Sequence, residues 1–521
     1  MRTLDTHQVD GENTPILLHE CYGLDKDSFR DQLEAVFEKH PEVFVVPMSG
    51  LSAGGGVFQS MSKREGIIGI QLPAIADPEV RYTSRIELSA LHLNEIQIDT
   101  RNRRVGAGAG VTLGQLNNAI RDYVGQHYRV LGADLTSYTY AQVGSTFMTG
   151  GMGPQRRYFS DSVESIELFD GSDFRQIEAS DLIGLAGTYG WTGLVTAICC
   201  RYVETPANEI AFAIPVNSSP EILAGLLASL GRFCYPTEVS GVITNKESSD
   251  TVLLGLEHIT LESMGPMLKG ELDGSIRRRA ESLVDKCQRA NADSLVFVNG
   301  FTDGTLSDAI SELADDSPAD EISIAGISLD HSEVFADAEE MRSLRESVPY
   351  AARNRLPTGA FVYKNHTDAT IRISPDDIQN QAEDIWRINC KYVDSVSNYF
   401  SENSQIRGDL LVYGHLNPYG IDPHNRVTMA CDSEQEYTHS VAKLECFREQ
   451  YYIDLAHFCA SCSAQFIGGE KGAASEAEML TAWGNSVPTP EQVAVKLTAQ
   501  RREISRAKPA FSWRAFEPYT V

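Results

Sequence analysis

Three glycine-rich stretches carry the clearest chemical signal in this sequence. The first, Ser49-Gly50-Leu51-Ser52-Ala53-Gly54-Gly55-Gly56, follows the apolar run Val43-Phe44-Val45-Val46-Pro47. The second is Val143-Gly144-Ser145-Thr146-Phe147-Met148-Thr149-Gly150-Gly151-Met152-Gly153-Pro154, and Gly187-Thr188-Tyr189-Gly190-Trp191-Thr192-Gly193-Leu194-Val195-Thr196 closes the set. Glycine has no Cβ, so several backbone N–H groups can approach one anion. Three such loops in order point to a large phosphorylated ligand. The hydroxyls of Ser52, Ser145 and Thr149 add donors for phosphate oxygens.

Stepping out from the loops, residues 43–205 alternate short strands with glycine-rich turns. Thr112 reads as the N-cap of a helix carrying Leu113, Leu116, Ala119 and Ile120. Val163 to Phe169 and Leu194 to Val203 read as strands. An earlier helix over residues 28–37 has Asp25, Asp27 and Ser28 as capping candidates and a stripe of Phe29, Leu33, Val36 and Phe37. Composition changes after Glu204-Thr205-Pro206. From there to about 425, strand-like runs (Ala211–Val216, Thr251–Leu256, Ser294–Gly300, Ala360–Tyr363) alternate with helices (Pro220–Leu230, Leu306–Leu313, Pro375–Phe400). This pattern predicts antiparallel sheet with helices on one side. The chain from Ser433 onward reads as mainly helical, and Asp315–Glu321 reads as an acidic linker.

The chain has 521 residues and a net charge of −28, too long for one compact core. Its charge disfavours nucleic acid and anionic lipid as partners. The same field repels phosphate, so a phosphorylated ligand needs local N–H donors. No apolar run approaches the roughly eighteen residues of a membrane span. No apolar segment follows Met1, so the expected location is cytoplasmic, with its ten cysteines reduced. Cys459 and Cys462 lie in one helical run and read as structural rather than redox or metal-binding.

Residues 43–205 resemble the FAD-binding domain of the vanillyl-alcohol oxidase / p-cresol methylhydroxylase (PCMH-type) superfamily. Ser49–Gly56 is similar to its first pyrophosphate loop. Arg104–Leu113, with Gly106-Ala107-Gly108-Ala109-Gly110-Val111-Thr112, resembles its "V-x-x-G-A-G-V-T-L". Val143–Gly153 resembles the second glycine loop, Tyr158–Val163 the segment "Y-G-x-x-x-D-x-V", and Gly187–Thr196 the segment "G-x-x-G-x-x-G-I-V-T". The C-terminal half resembles the D-lactate / D-2-hydroxyglutarate dehydrogenase group. The matching segments are Leu344-Arg345-Glu346, Val362-Tyr363-Lys364, Tyr413-Gly414-His415-Leu416-Asn417 and Gly468-Gly469-Glu470-Lys471-Gly472.

The resemblance implies an α+β fold. Residues 1–40 would be a lead-in, 41–205 the FAD-binding domain, 206–432 a substrate domain laying a sheet over the flavin, and 433–521 a helical segment returning to the site. It implies non-covalent FAD, since the first loop holds no histidine. FAD contacts fall to Ser49, Gly50, Leu51, Ser52, Ala53, Gly54, Gly144, Ser145, Thr149, Gly150, Gly151, Gly190 and Val195. Asp161 belongs to the same set but would repel phosphate, so it reads as a turn cap. It implies a divalent metal, such as Zn, Mn, Co or Fe, on His415, His424 and Glu470, with Pro418, Gly420 and Pro423 describing the loop on which these ligands converge. Arg345 and Lys364 would engage a substrate carboxylate, although Arg345 equally reads as a helix ion pair with Glu340 or Glu346. The sequence departs from the family in three places. His424 falls later than the motif "G-H-L/V-G-D-G-N-x-H" sets, Lys471 replaces the histidine taken as the base, and Asn365-His366-Thr367-Asp368 is unusual. Lys471 reads either as that base or as a counter-charge for a carboxylate.

The implied function is oxidation of a D-2-hydroxy acid, or a similar small carboxylate-bearing alcohol, by hydride transfer to flavin N5. An acceptor (oxygen, a quinone, a cytochrome or an electron-transfer flavoprotein) would then reoxidise the flavin. The rivals are a metal-independent oxidase of a phenolic, sugar or natural-product alcohol and a catalytically inert FAD-binding protein. The oligomeric state stays open, a homodimer included.

Overall fold

The structure is a computed structural model. It describes residues 93–133, 138–149, 159–169, 194–234, 236–245, 249–264, 274–314, 323–330, 332–335, 338–354, 359–417, 420–462 and 464–468, together with shorter segments that include strands at 2–7, 16–20, 44–48 and 85–89. The expected helix over 28–37, the acidic linker and the chain beyond 468 lie outside the described residues.

The N-terminal part holds a five-stranded antiparallel sheet of β1 (Ile96–Asp99), β2 (Arg104–Gly108), β3 (Val163–Phe169), β4 (Phe174–Glu178) and β5 (Leu194–Arg201), in the order β1-β2-β5-β3-β4. Helix α1 (Leu113–Tyr123) starts where expected. Thr112 accepts from Gln115 N, and the Gln115 side chain returns the bond to Thr112 N. Its Leu113, Leu116 and Ile120 join a core with Val105, Phe147, Ile166 and Ile198. Helix α2 (Val143–Thr149) runs against β5. Gly144 is required there: a Cβ would sit 2.7 Å from the Ala109 Cβ and 3.1 Å from the Ala109 carbonyl oxygen.

The larger sheet has nine strands among the described residues. They are β6 (Asn208–Val216), β7 (Thr251–Thr260), β8 (Ser294–Thr302), β9 (Glu333–Val334), β10 (Phe361–Asp368), β11 (Thr370–Arg372), β12 (Arg407–Asn417), β13 (Gly420–Cys431) and β14 (Gln465–Gly468). The order is β9-β6-β8-β7-β12-β13-β11-β14, with β10 also pairing β13. Helices were expected on one side only. Instead α3 (Pro220–Gly231), α7 (Ile378–Glu402) and α8 (Glu434–Ser461) pack one face, while α4 (Gly274–Arg289) and α6 (Ala338–Asn354) pack part of the other; α5 (Leu306–Leu313) adds Ala309 and Leu313 to the first face. The reason lies in the side chains. Phe212, Ile214, Val298 and Leu416 give the first face its core. Ala211, Ala213, Phe297, Ile259 and Leu411 make a second apolar patch that needs its own cover. Cys459 is buried in α8 and Cys462 Sγ donates to the Phe458 carbonyl at 3.2 Å, so this pair packs as reduced thiols.

Candidate active site

Beside that second patch, the sheet face turns polar. His415, Asp422, His424 and Arg426 are at most 2% exposed. The expected loop around the two histidines is a β-hairpin, because β12 and β13 run in register through it: Tyr413 pairs His424 and His415 pairs Asp422. Pro423 is tolerated because it faces Gly414 on one side and the break between β10 and β11 on the other, where its missing N–H interrupts no ladder. Side chains at paired positions share a face. Glu257 on β7 pairs His415, so a row of Glu257, His415 and Asp422 crosses three strands. The next rows run Ile259, Tyr413, His424 and Leu411, Arg426. Asp368, His366 and Lys364 hold the β10 register positions opposite His424, Arg426 and Thr428.

The two imidazoles meet edge to face, centroids 4.9 Å apart at 85°. His424 Nε2 lies 3.6 Å from Asp422 Oδ2, and its ring rests on Tyr413 with centroids 4.7 Å apart. Arg345 enters from α6. Its Nε is 2.9 Å from Glu257 Oε2, and both side chains are essentially inaccessible. Of the partners expected on its own helix, Glu340 pairs Arg279 instead, while Glu346 accepts from the backbone N–H of Thr139 at 2.8 Å and also feels the Arg345 charge. Sequence reasoning missed Glu257 and Asp422. Glu257 did leave a signal, an acidic residue directly after the apolar run Val252-Leu253-Leu254-Gly255-Leu256.

Next in sequence, His258 faces the other way, against Trp386, with ring centroids 5.4 Å apart. Burial lowers its pKa to about 4, against a smaller opposing pull from Asp293. It is a core histidine, not a site residue.

Helix α6 also grips the N-terminal part of the chain. Arg342 bonds Glu209 through Nη1 at 2.6 Å and Nη2 at 3.3 Å, and lies 5.5 Å from the Tyr138 ring centroid. Arg129 Nη1 approaches Glu209 at 3.3 Å and its guanidinium covers Phe301 at 3.9 Å. Burial would raise the Glu209 carboxyl, but Arg129 and Arg342 outweigh it and hold it down at about 2. Burial dominates at Glu346 and pushes its carboxyl up to about 7; the Thr139 N–H and Arg345 oppose the rise.

The expected ligands divide accordingly. Arg345, His415 and His424 come together on one face. Lys364 holds a register position on that face, its side chain undescribed. Glu470 and Lys471 lie outside the described residues, as do Ser49, Gly50, Leu51, Ser52, Ala53, Gly54, Gly150 and Gly190. Among the described residues no three His, Cys, Asp or Glu side chains could hold a metal ion. His424 is instead set between Asp422 and Tyr413, so the described donors do not fit a metal and no step is routed through one.

For a phosphorylated cofactor the fit is better. The segment 143–151 offers Gly144 and Gly151 without side chains, with the Ser145 hydroxyl half-buried and donating to the Gln142 carbonyl at 3.0 Å. Thr149 ends α2, and only its backbone is described. Asp161 is exposed in a 3-10 turn over Phe159–Ser162, in keeping with its reading as a turn residue. Val195 is 2% exposed and packs in the β5 core.

Residues 77–176 match the family of FAD binding domains, so this part of the chain is an FAD-binding domain. No curated protein matches the sequence. Among solved structures, alkyldihydroxyacetonephosphate synthase is similar with a TM-score of 0.55 at 11% identity, covering 95% of this chain and 75% of that one. 6-Hydroxy-D-nicotine oxidase from Arthrobacter nicotinovorans is similar with a TM-score of 0.51 at 14% identity, covering 94% of this chain and 89% of that one. The chain therefore shares the α+β fold of these proteins. No helix among the described residues is long and apolar enough to cross a membrane.

Proposed function

We propose that this protein is an FAD-dependent oxidoreductase that oxidises a small carboxylate-bearing alcohol, of the D-2-hydroxy acid class, on the polar face of its nine-stranded sheet. In this reading residues 41–205 hold FAD, residues 206–432 carry the substrate face, and residues 433–521 return to it. One observation carries the proposal: His415, Asp422, His424 and Arg426 share one sheet face with Arg345, on a helix that also grips the FAD-binding domain. FAD supplies a hydride acceptor, and an external acceptor removes the electrons afterwards. The chain supplies the rest. His424 would take the hydroxyl proton, the Asp422 carboxylate 3.6 Å from its Nε2 favouring the protonated imidazole that results. Arg426, Arg345 and Lys364 bring positive charge for a carboxylate, with Arg345 partly neutralised by Glu257.

The test is the visible spectrum of purified protein under anaerobic conditions, before and after a panel of D- and L-2-hydroxy acids. A flavin spectrum bleached by one D-acid establishes the reading. A flavin spectrum that no acid bleaches defeats the substrate class, and protein that cannot be loaded with FAD defeats the cofactor.

A second reading, a metal-independent oxidase of a phenolic, sugar or natural-product alcohol, is favoured by two observations. The described donors do not fit a metal, and the Arg345 charge is shared with Glu257. Bleaching by such an alcohol, with activity that survives chelation, would select it.

A further inference from the structure

We propose that Glu346 is a positioning residue, a carboxyl clasp that seats the turn at 138–140, and with it the cofactor segment 143–151, against the substrate face of the sheet. The inference rests on the reading that 143–151 holds FAD.

The geometry is a single helical surface with two grips. Arg342, Arg345 and Glu346 stand at i, i+3 and i+4 on α6, so they share one side of the helix. Arg345 reaches into the sheet and meets Glu257, the register partner of His415. Glu346 beside it accepts from Thr139 N at 2.8 Å. Arg342 adds its guanidinium beside the Tyr138 ring, 5.5 Å from the centroid. The turn so gripped lies three residues before α2, and Tyr138 also receives the N–H of Gly114 on its carbonyl at 3.0 Å. The turn is thus fixed from both sides, by α1 and by α6. A shift at Thr139 moves the start of α2, which Gly144 already packs against Ala109 without slack. The clasp therefore sets the distance between a cofactor on that segment and the His415–His424 pair.

Glu346 is 8% exposed. The charged groups around it are Arg345 and Glu339 on its own helix; from the opposed turn it meets the backbone N–H groups of Thr139 and Tyr140. Burial keeps the carboxyl protonated up to about pH 7. Ionisation then favours opening of the contact, because the charge regains water only when the turn lifts away. Glutamine keeps the acceptor oxygen and cannot ionise; alanine removes both.

The experiment measures FAD affinity of the apoprotein by flavin fluorescence, for wild type, Glu346→Gln and Glu346→Ala, between pH 5.5 and pH 8.5. The expected result is roughly tenfold weaker binding in E346A, about the loss of one hydrogen bond to a buried backbone donor. E346Q should restore affinity at low pH, and the wild type's weakening across neutral pH should be absent from it. Once a substrate is in hand, E346A should lower kcat more than it raises KM. Wild-type binding with E346A unchanged would overturn the clasp while leaving the FAD reading intact. The same pH profile in wild type and E346Q would also overturn it. Failure of wild type itself to bind FAD would strike the underlying reading instead. Should E346A fail to fold, the comparison of wild type with E346Q still decides.

Discussion

At the residue scale the most consequential contact is the Glu257–Arg345 pair. Both groups are out of water, so each charge depends on the other. Glu257→Ala should leave the Arg345 guanidinium buried beside His415 without its carboxylate and cost about 3–5 kcal/mol, read as a drop in the urea midpoint. Replacing both at once, Glu257→Leu with Arg345→Met, removes the stranded charge and should recover most of that stability. Turnover should stay lost in the double variant if, as proposed, the arginine serves the substrate face. A double variant as unstable as the single one would show that the pair is held for packing rather than charge. Arg345 was legible in the sequence as a functional candidate. Its partner was not, because Glu257 lies 88 positions upstream and only the packing of α6 on that sheet face brings the two together.

At the element scale, what could be read ahead was whatever is decided locally. Val163–Phe169 and Leu306–Leu313 have the predicted ends because an apolar run or a capping box sets each of them. The residues between His415 and His424 read as a loop because Pro418, Gly420 and Pro423 are strong turn signals, but residues 420–423 belong to β13. Pairing to β12 on one side and to β11, about fifty residues earlier, on the other overrides the turn signals, and the second is invisible in a local window. The glycines were read for their freedom to approach phosphate. At Gly144 the structure adds a second demand, the contact of α2 with Ala109. Gly144→Ala should therefore push α2 outward by a few tenths of an ångström and cost about 1–3 kcal/mol by overpacking. If 143–151 holds FAD, affinity should fall with it. A thermal midpoint equal to wild type would show that α2 can shift without resistance. Ala109→Gly in the same chain should relieve the clash and return most of the loss.

At the scale of the whole molecule, three buried titrations among the described residues have large shifts between acid and neutral pH, and their signs differ. His258 titrates near 4 when folded and 6.5 when exposed. The unfolded chain binds more protons in that window, so this group's stability is full above pH 6.5 and is lost as pH falls toward 4. Glu346 titrates near 7 when folded against 4.5 when exposed. There the folded chain binds more protons, so its stability is full below pH 4.5 and is lost as pH rises through 7. Each window spans similar shifts, about 3 kcal/mol apiece at ~1.4 kcal/mol per unit, so between pH 4.5 and 6.5 the two slopes nearly cancel. In acid Glu209 joins Asp99, Asp308 and Asp432, whose exposed carboxyls are also held down by their hydrogen bonds. Held at about 2 by Arg129 and Arg342, Glu209 contributes stability above pH 4.5 that is lost as pH falls toward 2, and with it the tie between β6, α6 and the segment carrying Arg129. The expected wild-type curve of unfolding free energy is therefore shallow from pH 4.5 to 6.5 and steep below. Glu346→Gln should unmask the histidine, giving stability that climbs with pH across that shallow range. His258→Leu should unmask the carboxyl, giving stability that declines there. The double variant should run parallel to wild type, because two opposed proton uptakes have been removed together. Single variants whose slopes match wild type between pH 4.5 and 6.5 would show that neither group is as buried in solution as the packing of α6 and α7 requires.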